Sequence, residues 1–388
     1  MKIAAALVIN AGSSSLKFAL FRLASGEKLV QGQIEGIGVH PHFVAFDAAH
    51  AKIDEWQHAG AAESHEALLE QLLGWVETHL GAARLVCVGH RVVHGGADFA
   101  APVRITPAIL TALERLIPLA PLHQPHNLAP IRAITAIRPE LPQIACFDTG
   151  FHVTLPKLAT EFALPKEITS EGVRRYGFHG LSFDHIAHLL QTTEPTLFTS
   201  RVIVAHLGNG ASLCAMQAGR SIDVTTGFSA LDGLMMGTRC GSIDPGVLLY
   251  LMQHRGMDAA AIEDLLYKHS GLLGVSGVSF DMRELHGKPE GDAAIDLFVY
   301  RAAREAAALI GSLGGLDALI FTAGIGEHDA VVRAAICARL AWIGVQIDAA
   351  ANIAQASEIT AQGSRLRVLV IPADEEAAIL RHMRELLA

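Results

Sequence analysis

The sequence predicts an α/β fold built from two similar halves, and two observations carry that prediction. Segment 204–216 (VAHLGNGASLCAM) closely matches segment 8–20 (VINAGSSSLKFAL), with Ser212-Leu213 aligned on Ser15-Leu16. Each copy has an apolar strand, a turn of glycine or serine residues, and a second apolar strand. Around these hairpins, strand-like and helix-like segments alternate along the chain, which is typical of α/β proteins.

The two turns also predict a function. Glycine and serine turns present backbone N–H groups and hydroxyls, which suit phosphate oxygens. Two such hairpins therefore suggest a duplicated fold that holds a polyphosphate between its halves, although two ordinary hairpins would have the same pattern. The length of 388 residues is sufficient for two domains, each with its own core.

Composition excludes several classes of protein. A hydrophobic content of 51% argues against disorder, and a formal charge of −9 argues against a nucleic-acid-binding protein. The five cysteines are scattered and include no C-x-x-C pair, and the twenty histidines include no H-E-x-x-H. This pattern fits a reducing compartment and predicts neither a disulfide framework nor a zinc site.

The amino terminus resembles a minimal signal peptide, because the apolar run 3–9 follows Met1-Lys2. The run is at the short limit, and a second apolar strand follows the Gly-Ser turn at once. We therefore predict a buried first strand and a cytoplasmic protein. No apolar run approaches the roughly 18–20 residues that span a bilayer, so no membrane association is expected.

The elements of the first half follow from periodicity and from capping signals. Leucines at helical spacing predict a helix over 65–80, and Thr106-Pro107 has the preferred order for a helix start. We expect the resulting sheet to be largely parallel. The remaining predicted elements are strands at 28–54, 85–88 and 144–147 and helices over 107–118 and from 128 to about 137.

Prolines at Pro156 and Pro165 break regular structure after the first half, so the predicted domains are 1–150 and 151–373. In the second half, segment 324–327 (GIGE) is expected to connect a strand to a helix. The elements predicted there are strands at 202–216, 318–322 and 366–371 and helices after Pro245, over 292–313, up to 340 and at the carboxyl terminus.

Candidate phosphate-binding residues lie on or beside the first turn: Asn10, Ser13, Ser14, Ser15 and Lys17. Lys17 stands two residues after Ser15 on an extended segment, so both side chains are on one face. A Walker motif is excluded because it would place its glycine turn before a helix. Lys17 is predicted either to contact phosphate or to be a solvated charge on a strand.

Other candidates stand at predicted strand ends, where α/β folds place their ligands. Arg91, in segment 90–96 (HRVVHGG), has the fork geometry for a carboxylate or a phosphate, or is a surface arginine. Asp148 is predicted to orient an arginine or magnesium, or to cap the following turn. Glycines flanking Arg239 would let a ligand approach closely, and the short G-x-G of 324–327 fits a nucleotide contact or a plain turn.

Seven motifs occur in one order along nearly the whole chain: NAGSSSLK, HRVVHGG, FDTGFH, YGFHG, HLGNGAS, GLMMGTR and FTAGIGE. In this combination the sequence resembles the acetate kinase family, within the superfamily of acetate and sugar kinases, Hsp70 and actin. The resemblance implies two duplicated ribonuclease H-like (actin-like ATPase) domains around a nucleotide cleft. It also implies that the C-terminal helix, about 374–388, joins the first domain, that 151–373 binds nucleotide, and that the protein is a homodimer.

The activity implied by the resemblance is reversible, in-line transfer of the γ-phosphoryl of ATP to acetate, giving acetyl phosphate and ADP with magnesium, or manganese in its place. The implied catalytic residues are Arg91, Asp148, His179 and Arg239, with Arg91 also binding the substrate. The magnesium site would be Asn10 and Glu375, and the wall of the acetate methyl pocket Val93, Leu122, Phe178 and Ala230. The implied nucleotide contacts are Ser15, Lys17, His206, Leu207, Gly208, Asn209, Gly210, Asp281, Met282, Arg283, Gly324, Ile325, Gly326, Glu327 and His328.

The sequence departs from the family pattern at three positions. Ala230 replaces a proline of the methyl pocket, His328 replaces the usual asparagine after GIGE, and Ser242 replaces an aspartate. The smaller Ala230 side chain could admit propionate. One alternative is therefore a propionate or other short-chain acid kinase. A second alternative, from a different class, is an actin-like or Hsp70-like ATPase without acyl transfer.

Overall fold

The computed structural model describes residues 3–12, 15–57, 65–81 and 83–387, so the candidates Ser13 and Ser14 lie outside the described residues. The chain divides into two compact units. The first comprises Met1–Phe151 and Asp374–Ala388, and the second comprises His152–Ala373.

The sheet of the first unit has eight described strands in the order β5-β4-β3-β2-β1-β6-β8-β7. The expectation of a largely parallel sheet is wrong, because β1 to β5 form an antiparallel meander joined by short connections and only β6 and β8 run parallel to their inner neighbours. The strands are β1 (Ile3–Ala11), β2 (Ser15–Arg22), β3 (Lys28–Glu35), β4 (His42–Asp47), β5 (Lys52–Gln57), β6 (Ala83–Val92), β7 (Val103–Arg104) and β8 (Gln143–Phe147).

The helices of the first unit are α1 (His65–His79), α2 (Pro107–Glu114), α3 (Gln124–Ile137) and the C-terminal α15 (Glu375–Leu387). The leucines predicted to face the core from α1 do so, since Leu68, Leu69 and Leu72 are at most 1% exposed. Thr106 caps α2 by accepting a hydrogen bond from the Ile109 N–H, as predicted. Helix α2 ends at Glu114, before the predicted end at 118, and α3 begins at Gln124, four residues before the predicted start at 128.

The packing of α15 on β6 is close enough to require glycine on the strand. A Cβ at Gly89 would overlap Met383 Sδ and lie 2.6 Å from Ile379 Cγ2. Strand β6 also runs to Val92, four residues beyond the predicted end. Arg91 therefore lies on the strand itself, and the first turn of α15 is held beside it.

The second unit repeats the sheet topology of the first. Its order is β11-β10-β9-β12-β13, with two antiparallel pairings followed by two parallel ones, as in β3-β2-β1-β6-β8. This repeat confirms the duplication that the two hairpins predicted. The strands are β9 (Arg201–Leu207), β10 (Ala211–Gln217), β11 (Arg220–Val224), β12 (Ala318–Thr322) and β13 (Arg367–Val370), of which β11 was not predicted.

The 25-residue α11 packs its buried face against this sheet, with Phe298 and Val299 each 1% exposed. Segment 324–327, expected to connect a strand to a helix, is itself helical and belongs to a short helix that begins directly after β12. The helices are α4 (Lys157–Thr160), α5 (Lys166–Thr169), α6 (Gly180–Thr193), α7 (Pro195–Thr199), α8 (Pro245–Arg255), α9 (Ala259–Lys268), α10 (Gly271–Ser276), α11 (Pro289–Leu313), α12 (Ala323–His328), α13 (Ala330–Arg339) and α14 (Ala349–Ile353). Within the described residues, no helix combines the length and the apolar character needed to cross a membrane.

Candidate active site

Arg91 and two carboxylates form the charged centre of the first unit. Strands β6 and β8 are parallel neighbours, so Arg91 near the end of β6 and Asp148 just after β8 meet at one edge of the sheet. Arg91 Nε lies 3.0 and 3.1 Å from the two Asp148 carboxylate oxygens, and Arg91 Nη2 lies 2.6 Å from Oδ2. Arg91 Nη1 also lies 2.9 Å from Glu375 Oε2 on α15.

Burial and charge set the protonation of this cluster. Burial works against the cation at Arg91, but Asp148 and Glu375 outweigh it and raise the pKa of the guanidinium above its usual value. At Glu376, burial and the negative charge of Glu375 raise the pKa of the carboxyl. Arg91 is therefore a fixed cation with its fork oriented by Asp148, which is only 1% exposed.

Asn10 joins the same cluster from the end of β1. Its amide nitrogen lies 3.3 Å from Glu375 Oε2, so the two predicted magnesium-site residues are neighbours. Their amide and carboxylate oxygens are the kind of donor that magnesium prefers. Among the described residues, no group of three or more histidine, cysteine or acidic side chains is arranged to hold a metal alone. Any magnesium here would need further oxygens, such as phosphates and waters.

Lys17 and Ser15 lie on one face of β2, as predicted, and Lys17 pairs with Asn10 in the β1–β2 register. Lys17 is exposed and lines a cavity of about 210 Å³ together with Glu376.

Of the predicted methyl-pocket residues in this unit, Val93 is buried, and its N–H donates to Asn127 Oδ1. Leu122 is half-buried in the turn before α3.

In the second unit, His179, Gly210 and Arg239 lie together. A Cβ built at Gly210 would be 2.9 Å from Arg239 Nη2 and 3.0 Å from His179 Nε2, so only glycine leaves room between the turn and these two side chains. His179 has a left-handed backbone with φ of 58° at the start of α6. A non-glycine residue in this conformation indicates a locally constrained site.

Two serines orient the histidines, and neither was predicted as a site residue. Ser212 Oγ lies 2.8 Å from His179 Nδ1, and Ser182 Oγ lies 2.9 Å from His206 Nδ1. The His179 and His206 rings are stacked with centroids 4.4 Å apart. The partners are 33 and 24 residues apart in sequence, and only the meeting of α6 with β9 and β10 brings them together.

The turn after Leu207 is held by the segment that carries Arg239. The Gly237 N–H donates to the Asn209 carbonyl at 3.0 Å, and a Cβ at Gly237 would overlap Asn209 Oδ1. Arg239 Nη1 donates to the Ala230 carbonyl at 2.6 Å. Ala230 is half-buried, whereas Phe178, the other predicted methyl-pocket residue of this unit, is 2% exposed.

The remaining predicted nucleotide contacts form two segments. In the first, Arg283 pairs with Asp281, whose pKa this hydrogen bond lowers, while Met282 is buried. The second is α12, which begins at Ala323, a non-glycine residue with φ of 65°, and contains Gly324, Ile325 and Gly326. At its end, Glu327 Oε1 accepts a hydrogen bond from the Ala373 N–H at 2.9 Å, and His328 is largely exposed.

Comparison with known proteins decides the family, because the chain matches the acetokinase family over residues 5–381. The chain belongs to the acetokinase family. An acetate kinase of Rhodopseudomonas palustris is 51% identical over 97% of each chain, and one of Rhizobium meliloti is 45% identical over 99% of this chain and 98% of the relative.

Solved structures of the same family agree in fold. A propionate kinase from Francisella tularensis superposes with a TM-score of 0.90 at 38% identity, covering 98% of this chain and 99% of that one. Porphyromonas gingivalis acetate kinase gives 0.88 at 36% identity, covering 99% and 100%. The predicted family, fold class and enzyme class are confirmed: the chain is a phosphotransferase of an ATP-using kinase family that acts on small molecules.

Proposed function

We propose that this acetokinase is an acetate kinase that transfers the γ-phosphoryl of ATP to acetate, reversibly and in line, giving acetyl phosphate and ADP. The observation that carries the proposal is the part-buried, bidentate contact between the Arg91 guanidinium and Asp148. It presents a permanent cation, already oriented, to a carboxylate or to an acyl phosphate. The acetate kinases among its relatives support the choice of acceptor.

In this proposal Asp148 orients Arg91 and does not abstract a proton. The nucleophile is a carboxylate that is already ionised at neutral pH, so phosphoryl transfer needs positioning and charge, not a general base. Asp148 makes hydrogen bonds to both Nε and Nη2 of Arg91, which fixes the plane of the guanidinium. Glu375 fixes the remaining Nη1 group.

The proposed metal is magnesium, with manganese as a substitute, held through Asn10 and Glu375. Magnesium in kinases commonly keeps several waters and takes one or two carboxylates plus substrate phosphates, so two protein oxygens are sufficient here. Bound metal would neutralise charge on the transferring phosphates. Asn10 and Glu375 would position it, and the ion pair with Arg91 would hold the Glu375 side chain in place.

In the second unit, His179 and Arg239 are proposed to stabilise charge that spreads over the transferring phosphoryl group. An arginine in such a role contributes roughly 10³–10⁵ in rate. Ser212 holds the His179 ring, and the Ala230 carbonyl holds Arg239. The proposed nucleotide contacts are Ser15, Lys17, His206, Leu207, Gly208, Asn209, Gly210, Asp281, Met282, Arg283, Gly324, Ile325, Gly326, Glu327 and His328.

A preference for propionate is the second candidate, and Ala230 favours it. With Val93, Leu122 and Phe178, this residue is proposed to line the pocket for the methyl group, where the family pattern has proline. The solved propionate kinase, 38% identical, also supports this candidate. One methylene changes binding by only about 1–3 kcal/mol, so both acids are expected to react.

We also propose that the chain forms a homodimer through α8. No residue of α8 is buried in the single chain, and Val247, Leu249, Tyr250 and Met252 are each 39–55% exposed. An uncovered apolar surface of this kind is typical of an interface between subunits.

The two compact units are proposed to be the two actin-like domains, the second of them nucleotide-binding. A cytoplasmic location is proposed as well, and the cysteines, which form no disulfide in the described chain, support it.

The test is a hydroxamate assay for acyl phosphate, run with ATP, magnesium and acetate, propionate or butyrate in parallel. Acetate kinase activity predicts acetyl hydroxamate with the highest kcat/KM for acetate. A higher kcat/KM for propionate would favour the second candidate. ATP hydrolysis without any hydroxamate would refute acyl transfer and favour an ATPase.

A further inference from the structure

Arg333 of α13 is a fully buried arginine in the second unit that no predicted site uses. Its side chain is 0% exposed. All of its hydrogen bonds go to uncharged oxygens: Nη1 donates to the carbonyls of Gly326 and Glu327, Nη2 to the carbonyl of Asn352, and Nε to the Asn352 side-chain oxygen. The four distances are 2.7 to 2.9 Å.

These contacts satisfy the C-terminal end of α12. A helix leaves its last four carbonyls without partners inside the helix. In α12, Arg333 takes the carbonyls of Gly326 and Glu327. The Asp329 N–H donates to the Ile325 carbonyl at 2.9 Å, and Gln355 Nε2 donates to the His328 carbonyl at 3.4 Å. A single arginine therefore binds the two middle carbonyls at this end of the helix.

Asn352 of α14 holds the arginine from the other side. It is 3% exposed, accepts two hydrogen bonds from Arg333, and donates its own amide to the Ala330 carbonyl at 2.8 Å. Arg333 and Asn352 thus connect α12, the start of α13 and α14 through buried hydrogen bonds.

Helix α12 is also next to the turn that the proposal assigns to nucleotide phosphates. A Cβ at Gly208 would lie 3.7 Å from Ala323 Cβ, and a Cβ at Gly326 would lie 3.4 Å from the Ala205 carbonyl. Shifting α12 by an ångström or two would therefore move the candidate contacts Gly324 to His328 relative to those at 206–210. Small displacements of positioning elements can cost large factors in binding and rate.

Burying the charged guanidinium of Arg333 costs free energy that its contacts must offset. Burial lowers the pKa of Arg333, and the charge of Asp329 only partly opposes that effect. Hydrophobic residues often stabilise a buried position at least as well as a charged group does. Two features of the structure offset this cost and favour arginine at this position. A cation is favoured at the C-terminal end of a helix, and the planar guanidinium can bind several carbonyls at once.

We propose that Arg333, together with Asn352, is a positioning residue for nucleotide binding that fixes α12 in the conformation that receives ATP and ADP. This inference rests on the proposed nucleotide role of α12. Arg333 is buried beneath the segment and acts through it. Its loss is expected to weaken binding of nucleotide and leave binding of acetate unchanged.

The experiment compares Arg333→Met and Asn352→Ala with a matched control, Arg339→Met. Arg339 is on the same helix but exposed, where it packs over the Tyr300 ring. For each variant, the dissociation constant of ADP is measured by titration calorimetry, the KM values for ATP and acetate by the hydroxamate assay, and folding by circular dichroism and thermal unfolding. Binding of ADP is read without any acyl transfer, so it remains informative if the wild type forms no acyl phosphate.

The expected result for Arg333→Met is a rise of at least tenfold in the ADP dissociation constant and in KM for ATP, with KM for acetate within twofold of wild type. Asn352→Ala should show a smaller rise, about threefold or more, and Arg339→Met none. A purely structural role would lower the melting temperature without this selective loss. The proposal is overturned if both test variants fold and bind ADP within twofold of wild type, or if neither folds, because the pair would then serve the stability of the unit.

Discussion

Replacing Asp148 with asparagine tests the proposal that Asp148 orients Arg91 and does not abstract a proton. The substitution keeps the shape of the side chain but removes its charge and turns one oxygen that faces Arg91 into an N–H donor. Arg91 would lose most of three contacts of 2.6 to 3.1 Å and keep only the ion pair with Glu375. We therefore expect the guanidinium to be bound but no longer held in one plane.

The size of the effect follows from these contacts. Hydrogen bonds to charged groups contribute about 1.5–3 kcal/mol each, and a factor of ten in rate corresponds to about 1.4 kcal/mol. If the net loss is that of one such bond, kcat/KM for acetate should fall about 10- to 100-fold. The free energy of unfolding should fall by about 3 kcal/mol, the lower end for a broken buried pair, because Arg91 is 20% exposed and retains Glu375.

The assay is the hydroxamate rate at varied acetate, ATP and magnesium, with urea unfolding in parallel. Glu114→Gln is the control, since Glu114 pairs with Arg132 at the surface, where the side chains are 37% and 41% exposed. Such a pair contributes at most about 1 kcal/mol, so this variant should keep full activity. An Asp148→Asn protein that is inactive while its magnesium dependence and its binding of nucleotide and acyl phosphate are unaltered would refute the reasoning and give Asp148 a direct part in the chemical step.

Three further outcomes are expected. Glu375→Gln should raise the magnesium concentration for half-maximal activity at least about tenfold, since a carboxamide is a weaker ligand than a carboxylate; an unchanged magnesium titration would argue against the metal site. Ala230→Pro should lower kcat/KM for propionate relative to acetate, and an unchanged ratio would exclude position 230 from the acyl pocket. Stability against urea should fall as pH is lowered from about 6.5 towards 4, because burial lowers the pKa of three histidines to about 4 in the folded protein while the unfolded chain binds protons near 6.5; equal stability at pH 7 and pH 5 would contradict this. These histidines are His90, His94 and His152.

Much of the fold could be predicted from local sequence. The two hairpins, the leucine face of α1, the Thr106 cap and the strand 318–322 depend on neighbouring residues, and each was predicted within a few positions. The direction of the strands in the first sheet was not predicted correctly. The alternation of strands with helices favours parallel pairing, whereas the first five strands are joined by short turns that impose antiparallel pairing.

The GIGE segment shows a second limit. Two glycines in four residues suggest a turn, because glycine weakens a helix by about 1 kcal/mol relative to alanine. The structure makes the segment helical because Arg333, nine residues after Gly324, and Gln355 supply the hydrogen bonds that its C-terminal carbonyls lack. A buried arginine has no sequence signature that distinguishes it from an exposed one, so the sequence did not reveal it.

By itself, the sequence determined the family, the duplication and the residue types of the candidate site, since these depend on motifs and their order. Only the tertiary structure decided which groups meet: Arg91 with Asp148 and Glu375, His179 with Ser212, and Arg333 with the end of α12. The first partners are 57 residues apart and Asn10 is 365 residues from Glu375. The physical reason is that hydrogen bonds and ion pairs act over a few ångströms, and chain separation says nothing about such distances until the strands have been paired and the helices packed.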